Sequence, residues 1–267
     1  MTRVAVVGLG AMGSRIARRL AECGHDVVGW NRTPRESGVP LAASPRDASA
    51  HGDVVITMLA DPSALEAVTD AVLAGLHGTW IEMSTVGPDA IERLAARTAS
   101  LVDAPVLGSI GEAENGTLTI FAGGDVAPVR PLLGELGTVL EVGPVGSGAA
   151  AKLVANATLF GALAALGESV ALGRALGLDD ATLFEVLAST PLAAQAERRR
   201  PVLQGEASRP RFPVRLARKD ARLILEHGDF GVVTAALRAL EAADAGADYT
   251  AMLNEPSRAV AERRSSS

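Results

Sequence analysis

A short β-branched run, Arg3-Val-Ala-Val-Val7, feeds directly into Gly8-Leu9-Gly10-Ala11-Met12-Gly13, and an amphipathic helical pattern begins at once behind it. No other stretch constrains the chain as much. Strand, glycine turn and helix in that order are the context in which G-x-G-x-x-G has a physical meaning. Gly8 allows the tight turn, Gly10 lets the backbone approach a pyrophosphate, and Gly13 permits close helix–strand packing. The unpaired N–H groups at the helix N-terminus receive the phosphates. Glycine turns are common, so the pattern alone is weak evidence. In its context it predicts a dinucleotide site built from Gly8, Leu9, Gly10, Ala11, Met12 and Gly13.

The second predicted strand, Asp26-Val-Val-Gly-Trp30, ends in Asn31-Arg32-Thr33. Sites that read a free ribose 2′-hydroxyl usually carry a carboxylate at this strand end. Here an amide, a guanidinium and a hydroxyl stand there instead. A carboxylate would repel a 2′-phosphate, whereas Arg32 can pair with one and lie across an adenine face. The expected cofactor is therefore NADP(H), held at this end by Asn31, Arg32 and Thr33. A solvated turn that happens to contain arginine is the plainer alternative.

Strands and helices go on alternating. A short apolar segment near Leu41 precedes a strand at 53–59 and a helix at 62–73. A strand at 79–83, a helix at 88–99 and a strand at 101–106 follow. Segments 116–122 and 138–142 read as two further strands around a short helix. Such βαβα order predicts a doubly wound, mostly parallel sheet of Rossmann type. Ligands then bind beyond the carboxyl ends of the strands, which singles out Leu59-Ala60-Asp61, Ser84-Thr85-Val86 and Leu107-Gly108-Ser109.

Near residue 145 the pattern changes. Gly143-Pro-Val-Gly-Ser-Gly148 reads as a linker, and only helical periods follow. The fold class is α/β: a dinucleotide-binding Rossmann domain over 1–145, then an all-α substrate and dimerisation domain over 146–267. A long helix at 149–176, with Ser147 as N-cap and Gly177 as terminator, is nearly apolar all round and is expected to be buried. Shorter helices are expected at 180–189, 192–203, 214–227 and 232–245, with a disordered tail at 265–267. About 120 residues of small-residue helix make a thin domain to bury the long one, so a homodimer interlocking these helices is expected.

Composition sets limits. The net charge of −6 leaves no electrostatic footprint for nucleic acid. The single Cys23 excludes a disulfide framework and a thiolate metal cluster, and reads as a small buried hydrophobe. The apolar start is followed too soon by Arg15, Arg18 and Arg19 for a signal peptide. The apolar stretch 153–167, interrupted by Asn156 and stopped by Glu168, reads as too short to span a bilayer. A cytoplasmic enzyme without a metal, acting on a small molecule, is expected.

Lys152 is the catalytic candidate. It lies in the first turns of the long helix, with Asn156 four residues later on the same face. Hydride delivery to a carbonyl carbon builds negative charge on oxygen, which an acid must neutralise and protonate. A lysine ammonium beside an amide meets that need, and burial with the helix N-terminus should lower its pKa. The spacing fits equally a lysine snorkelling at a helix start beside a satisfied core amide. The four histidines are scattered, and no GxSxG, CxxC or HExxH occurs. Gly143–Lys152 lacks the spacing of a phosphate loop.

With these residues in view, the chain resembles the β-hydroxyacid dehydrogenase family, relatives of 6-phosphogluconate dehydrogenase that include 3-hydroxyisobutyrate dehydrogenases and glyoxylate/succinic semialdehyde reductases. The resemblance runs in order along nearly the whole chain. It comprises Gly8–Gly13, Gly24-His25, Asn31–Thr33, Met58-Leu59, Ser84-Thr-Val86, Asp103-Ala-Pro-Val106 and Gly116-Thr-Leu118, then Gly146-Ser-Gly-Ala-Ala-Ala-Lys152 with Asn156, Phe212-Pro213 and Lys219-Asp220. It implies that Lys152 is the catalytic lysine and that Asn156 orients the substrate. Leu59, Thr85 and Lys219 would reach the cofactor, with Asp220 supporting the cleft beside it. Ser84, Gly108 and Ser109 would belong to the substrate site. On spacing alone, Lys219-Asp220 reads as an ordinary charged pair on an amphipathic helix.

Two positions depart from the family pattern. After Asp103-Ala-Pro-Val106 the family usually shows Ser-Gly-Gly or Ser-Gly-Ser, whose hydroxyl and backbone N–H groups hold the substrate carboxylate. This chain has Leu107-Gly108-Ser109, and Ala157 stands where many members have a second Asn. Both suggest a bulkier or less polar substrate than the small hydroxy acids. Imine reductases of the same architecture usually replace the lysine, so Lys152 favours carbonyl over imine chemistry. A non-catalytic NADP(H) sensor would need no such lysine.

Overall fold

The computed structural model describes residues 1–34, 36–206 and 210–257, and the expected tail at 265–267 lies outside them. The chain divides into two compact units, Met1–Leu153 and Val154 onward.

Among the described residues the first unit holds eight strands: β1 (Arg3–Val7), β2 (Asp26–Trp30), β3 (Val54–Thr57), β4 (Thr79–Glu82), β5 (Leu101–Asp103), β6 (Val106–Leu107), β7 (Leu118–Gly124) and β8 (Gly137–Gly143). They form one sheet in the order β2-β1-β3-β4-β5-β7-β6, with β8 paired to β7. Neighbours from β2 to β5 run parallel. β7 runs antiparallel to β5 and β6, and β8 runs parallel to β7.

Side-chain alternation along the strands sorts the core into two faces. Val4, Val6, Ile56, Ile81 and Val102 pack on one side, against Ile16, Ala17 and Leu20 of α1 (Gly13–Glu22). Ala5, Val7, Val55, Trp80 and Leu101 pack on the other, against α3 (Pro62–Gly75) and α4 (Pro88–Ala95), which follow α2 (Pro45–His51). Helices thus cover both faces of a largely parallel sheet, the doubly wound Rossmann arrangement. Each large apolar side chain so buried contributes about 1.5–3 kcal/mol relative to exposure.

The structure departs from the sequence pattern in places. α2 and α5 (Ile110–Asn115) were not expected; α6 (Arg130–Gly134) is the short helix between β7 and β8. The strand expected over 101–106 is broken between β5 and β6, where Pro105 has no N–H for a ladder. α4 stops at Ala95, four residues before the expected end at 99. Cys23 is half-buried at the C-cap of α1 rather than fully enclosed.

The second unit is helical among its described residues. α7 (Ser147–Ala175) runs on from the first unit, and α8 (Asp180–Ala188), α9 (Ala193–Leu203), α10 (Val214–Leu225), α11 (Gly231–Ala242) and a 3₁₀ turn (Tyr249–Asn254) follow. Gly177, at φ +84°, carries the chain out of α7 in a left-handed conformation. α7 runs unbroken through Asn156 and Glu168, as the long helix expected at 149–176 does. Its 29 residues, with an 18-residue stretch of mean hydropathy 1.6, would suit a bilayer by length and composition. Phe160, Leu163, Leu166 and Val170 are instead fully buried within the protein. The helix is not buried all round, because Val154 and Leu172 are mostly exposed, as is Leu176 just beyond its end. One apolar face is packed and another is open.

Candidate active site

Strand register lines up the carboxyl ends of the parallel strands. Trp30 pairs with Val7, Val7 with Thr57, Thr57 with Glu82, and Glu82 with Asp103, so these five residues form one row across the sheet. The turns leaving that row carry Asn31–Thr33, Gly8–Gly13, Leu59 and Ser84-Thr85, and the chain reaches Leu107–Ser109 just past β5. The sheet thereby gathers most of the residues singled out in the first unit along one edge.

The three loop glycines have different reasons. Gly8 has φ +101°, and a Cβ there would lie 2.4 Å from the Met58 carbonyl oxygen. A Cβ on Gly13 would lie 1.9 Å from the Gly8 carbonyl oxygen. The protein's own packing therefore demands both. A Cβ on Gly10 would meet nothing within 4 Å. Its missing side chain leaves open space beside the first turn of α1, which has no side-chain cap. That cradle fits a pyrophosphate on the helix N-terminus. Asn31 braces the loop: its Oδ1 accepts the Leu9 N–H at 3.0 Å and its Nδ2 donates to the Thr33 carbonyl at 2.7 Å. Arg32 and Thr33 are exposed beside it.

Glu82, which sequence reasoning missed, organises the next turns. It is fully buried. Thr57 Oγ1 donates to its Oε2, while Thr57 itself accepts the Trp80 indole N–H at 2.7 Å. Glu82 Oε1 accepts the Ser84 N–H at 2.7 Å, and Ser84 Oγ accepts the Leu59 N–H, also at 2.7 Å. Ser84 is buried and joins the turns after β3 and β4, with half-buried Thr85 next in the chain. An acid in an otherwise apolar strand was the available signal, but its partner Thr57 comes from another strand.

Asp103, at the end of the row, holds the start of α7. Its carboxylate accepts the N–H groups of Gly146 at 2.8 Å and Ala149 at 2.7 Å. Ser147, expected as N-cap, is instead the first residue of the helix, and a carboxylate from β5 fills the capping role. Gly123 and Gly148 make room for it, since a Cβ on either would lie under 3.0 Å from an Asp103 carboxylate oxygen. Burial pushes the Asp103 carboxyl above its ordinary value, and the bonds from the helix start pull against that shift. Lys152 lies one turn beyond these bonds and is largely buried, at 9% exposure. The first turn of α7 is thereby tied to β5, and the first compact unit runs on to Leu153.

The loop Leu107-Gly108-Ser109 is half-open to solvent. Leu107 is exposed, and Ser109 caps α5 through Glu112.

The second unit contributes a buried polar group of its own. Asn156, on α7, donates through Nδ2 to Asp220 Oδ2 of α10 at 2.8 Å. Lys219 Nζ lies 2.6 Å from Asp220 Oδ1. Asn156 and Asp220 are both almost inaccessible, so Lys219-Asp220 is not an ordinary surface pair. Asp220 fixes the Asn156 amide with its N–H side bonded and its oxygen turned the other way. His25 bridges the Thr2 N–H and Glu135 at the helix-to-strand turn, away from this chemistry.

A glycine cradle at the carboxyl edge of a doubly wound sheet defines a dinucleotide-binding protein. The model of the NAD binding domain of 6-phosphogluconate dehydrogenase matches residues 3–143. That of the NAD-binding domain of NADP-dependent 3-hydroxyisobutyrate dehydrogenase matches residues 146–255. The chain is 34% identical over 206 residues to 3-hydroxyisobutyrate dehydrogenase of Pseudomonas aeruginosa, covering 70% of this chain and 69% of that protein. It is 30% identical over 244 residues to the chloroplastic glyoxylate/succinic semialdehyde reductase 2 of Arabidopsis thaliana, covering 83% and 68%. Among solved structures, Mycobacterium tuberculosis 3-hydroxyisobutyrate dehydrogenase with L-serine superposes with a TM-score of 0.86 at 27% identity, over 96% of this chain and 99% of that one. The protein belongs to the β-hydroxyacid dehydrogenase family of 3-hydroxyisobutyrate dehydrogenase type.

Proposed function

We propose that the protein is an NADP(H)-dependent oxidoreductase that interconverts a small aldehyde or ketone bearing a polar group and the matching β-hydroxy compound, with Lys152 as general acid and base. The observation that carries this reading is the setting of Lys152: a buried lysine one turn past the point where Asp103 ties α7 to the carboxyl edge of the sheet. When bound, the nicotinamide supplies or accepts the hydride. Lys152 Nζ gives a proton to the carbonyl oxygen in reduction and takes it back in oxidation, and Asn156 Oδ1 or Nδ2 orients the reacting group. Arg32 and Thr33 receive the 2′-phosphate, and the N–H groups of Ala11, Met12 and Gly13 the pyrophosphate. Thr85 and Lys219 steady the cofactor, Ser84 holds the turn on which Thr85 stands, and Asp220 keeps Asn156 in orientation.

The same reading takes Val154, Leu172, Leu176, Val186 and Val232, all more than half exposed, as part of a homodimer interface of the helical domain. It has the enzyme act in the cytoplasm on a small molecule, with neither nucleic acid nor membrane as partner.

The test is NADPH oxidation by the purified protein and by Lys152→Ala over glyoxylate, succinic semialdehyde, their esters and cyclic imines. Wild-type turnover of a carbonyl compound that falls about 10²–10⁴-fold in the variant supports the reading. Turnover of imines only would move the protein to imine reduction, and tight NADPH binding without any turnover would make it a sensor.

A further inference from the structure

Ser109, Ile110, Gly111 and Glu112 form an S-x-x-E capping box at the start of α5. One carboxylate oxygen, Glu112 Oε2, accepts both the Ser109 backbone N–H at 2.9 Å and the Ser109 hydroxyl at 2.5 Å. The two donors that Ser109 could offer to a ligand are thus already directed at an anion of the protein itself. Leu107, two residues earlier, is 39% exposed and carries no polar side-chain atom. Gly108 between them, at φ +139°, packs its backbone over Leu118 and the Glu112 stem, where a Cβ would meet atoms at 2.7 and 3.1 Å. The loop that leaves the catalytic edge of the sheet therefore presents an apolar side chain and a half-buried carboxylate.

From this arrangement we infer that Glu112 is a specificity-determining residue: the Leu107–Ser109 loop receives an uncharged end of the substrate and disfavours a carboxylate. A second carboxylate brought to Ser109 would have to displace Glu112 from its donors or sit beside it as a like charge, in a setting only partly screened by water. An ester, amide or alkyl end meets neither obstacle and packs on Leu107. The preferred substrates are then uncharged carbonyl compounds, or the corresponding alcohols, rather than the free acids. The inference rests on the reductase reading above for the chemistry, and on the loop alone for the preference.

Glu112→Gln is the informative variant, because glutamine also serves at this position of a capping box and so keeps the helix start while removing the charge. Two readouts separate the preference from the catalytic reading. The first is kcat/KM with NADPH for succinic semialdehyde and for its methyl ester. The wild type should favour the ester at least tenfold, and Glu112→Gln should narrow that ratio at least tenfold by improving the acid while leaving the ester nearly unchanged. The second needs no turnover: calorimetric binding of isobutyramide and of isobutyrate to the protein saturated with NADP+. The wild type should bind the amide at least tenfold more tightly, and Glu112→Gln should close the gap. Failure of turnover with both semialdehyde compounds, alongside the amide preference in binding, would count against Lys152 chemistry and still support the loop. Isobutyrate binding as tightly as isobutyramide, or a ratio that Glu112→Gln does not move, overturns the inference.

Discussion

Arg32 and the loop glycines separate what the chain needs for itself from what it holds for a ligand. Arg32 is exposed at the end of β2, so Arg32→Ala should leave folding intact. If it meets a 2′-phosphate, the loss of a charge-assisted bond of about 1.5–3 kcal/mol weakens NADPH tenfold or more and NADH little. Equal loss for both cofactors, measured by fluorescence titration, would contradict the assignment. Gly13 and Gly10 should part company in the same way. Gly13→Ala drives a methyl group into the Gly8 carbonyl, and a cost of about 1–3 kcal/mol should appear in chemical denaturation. Gly10→Ala meets only open space, so its melting should match the wild type while NADPH binding falls. A Gly10 variant that binds NADPH normally would remove the cradle from the account.

At the scale of elements, the two buried acids, Glu82 and Asp103, turn a sheet edge into a fixed platform. Asp103 joins β5 to the start of α7, and its raised carboxyl pKa has a signed consequence. A carboxyl that holds its proton more tightly folded than unfolded adds stability at low pH, and that share is lost as pH rises through the raised folded value. Stability relative to Asp103→Asn should therefore decline from about pH 4 upward, the ordinary carboxylate range. Asp53 and Asp179, whose values are lowered by their hydrogen bonds, titrate alike in both proteins and cancel. Urea midpoints whose difference does not change with pH would contradict a buried, titrating Asp103. These acids also mark the limit of what could be read from the chain. The glycine loop, the end of β2 and the parallel strands were legible because each is a local pattern of residue type and spacing. Glu82 and Asp103 act on residues far along the sequence, reached only through strand register. α2 and α5 are short and mostly polar, with no apolar period, and only their caps at Ser44 and Ser109 announced them. The strand at 101–106 failed at Pro105 for want of one N–H.

For the whole molecule, two open questions share one helix. α7 buries Phe160, Leu163, Leu166 and Val170, yet Val154, Leu172 and Leu176 remain outside. If a second copy covers these residues, sedimentation should give a dimer at micromolar concentration, and Leu172→Glu with Leu176→Glu should give a folded monomer. A wild-type monomer would leave that face for something else. The start of the same helix carries Lys152, the residue on which the account of catalysis turns. The most direct measurement is a single-turnover experiment with NADPH deuterated on the transferred position, following label transfer to succinic semialdehyde or its methyl ester, for the wild type and Lys152→Ala at equal NADPH occupancy. The account predicts transfer by the wild type and a rate lower by about 10²–10⁴-fold in the variant. Equal transfer rates in the two proteins would contradict it.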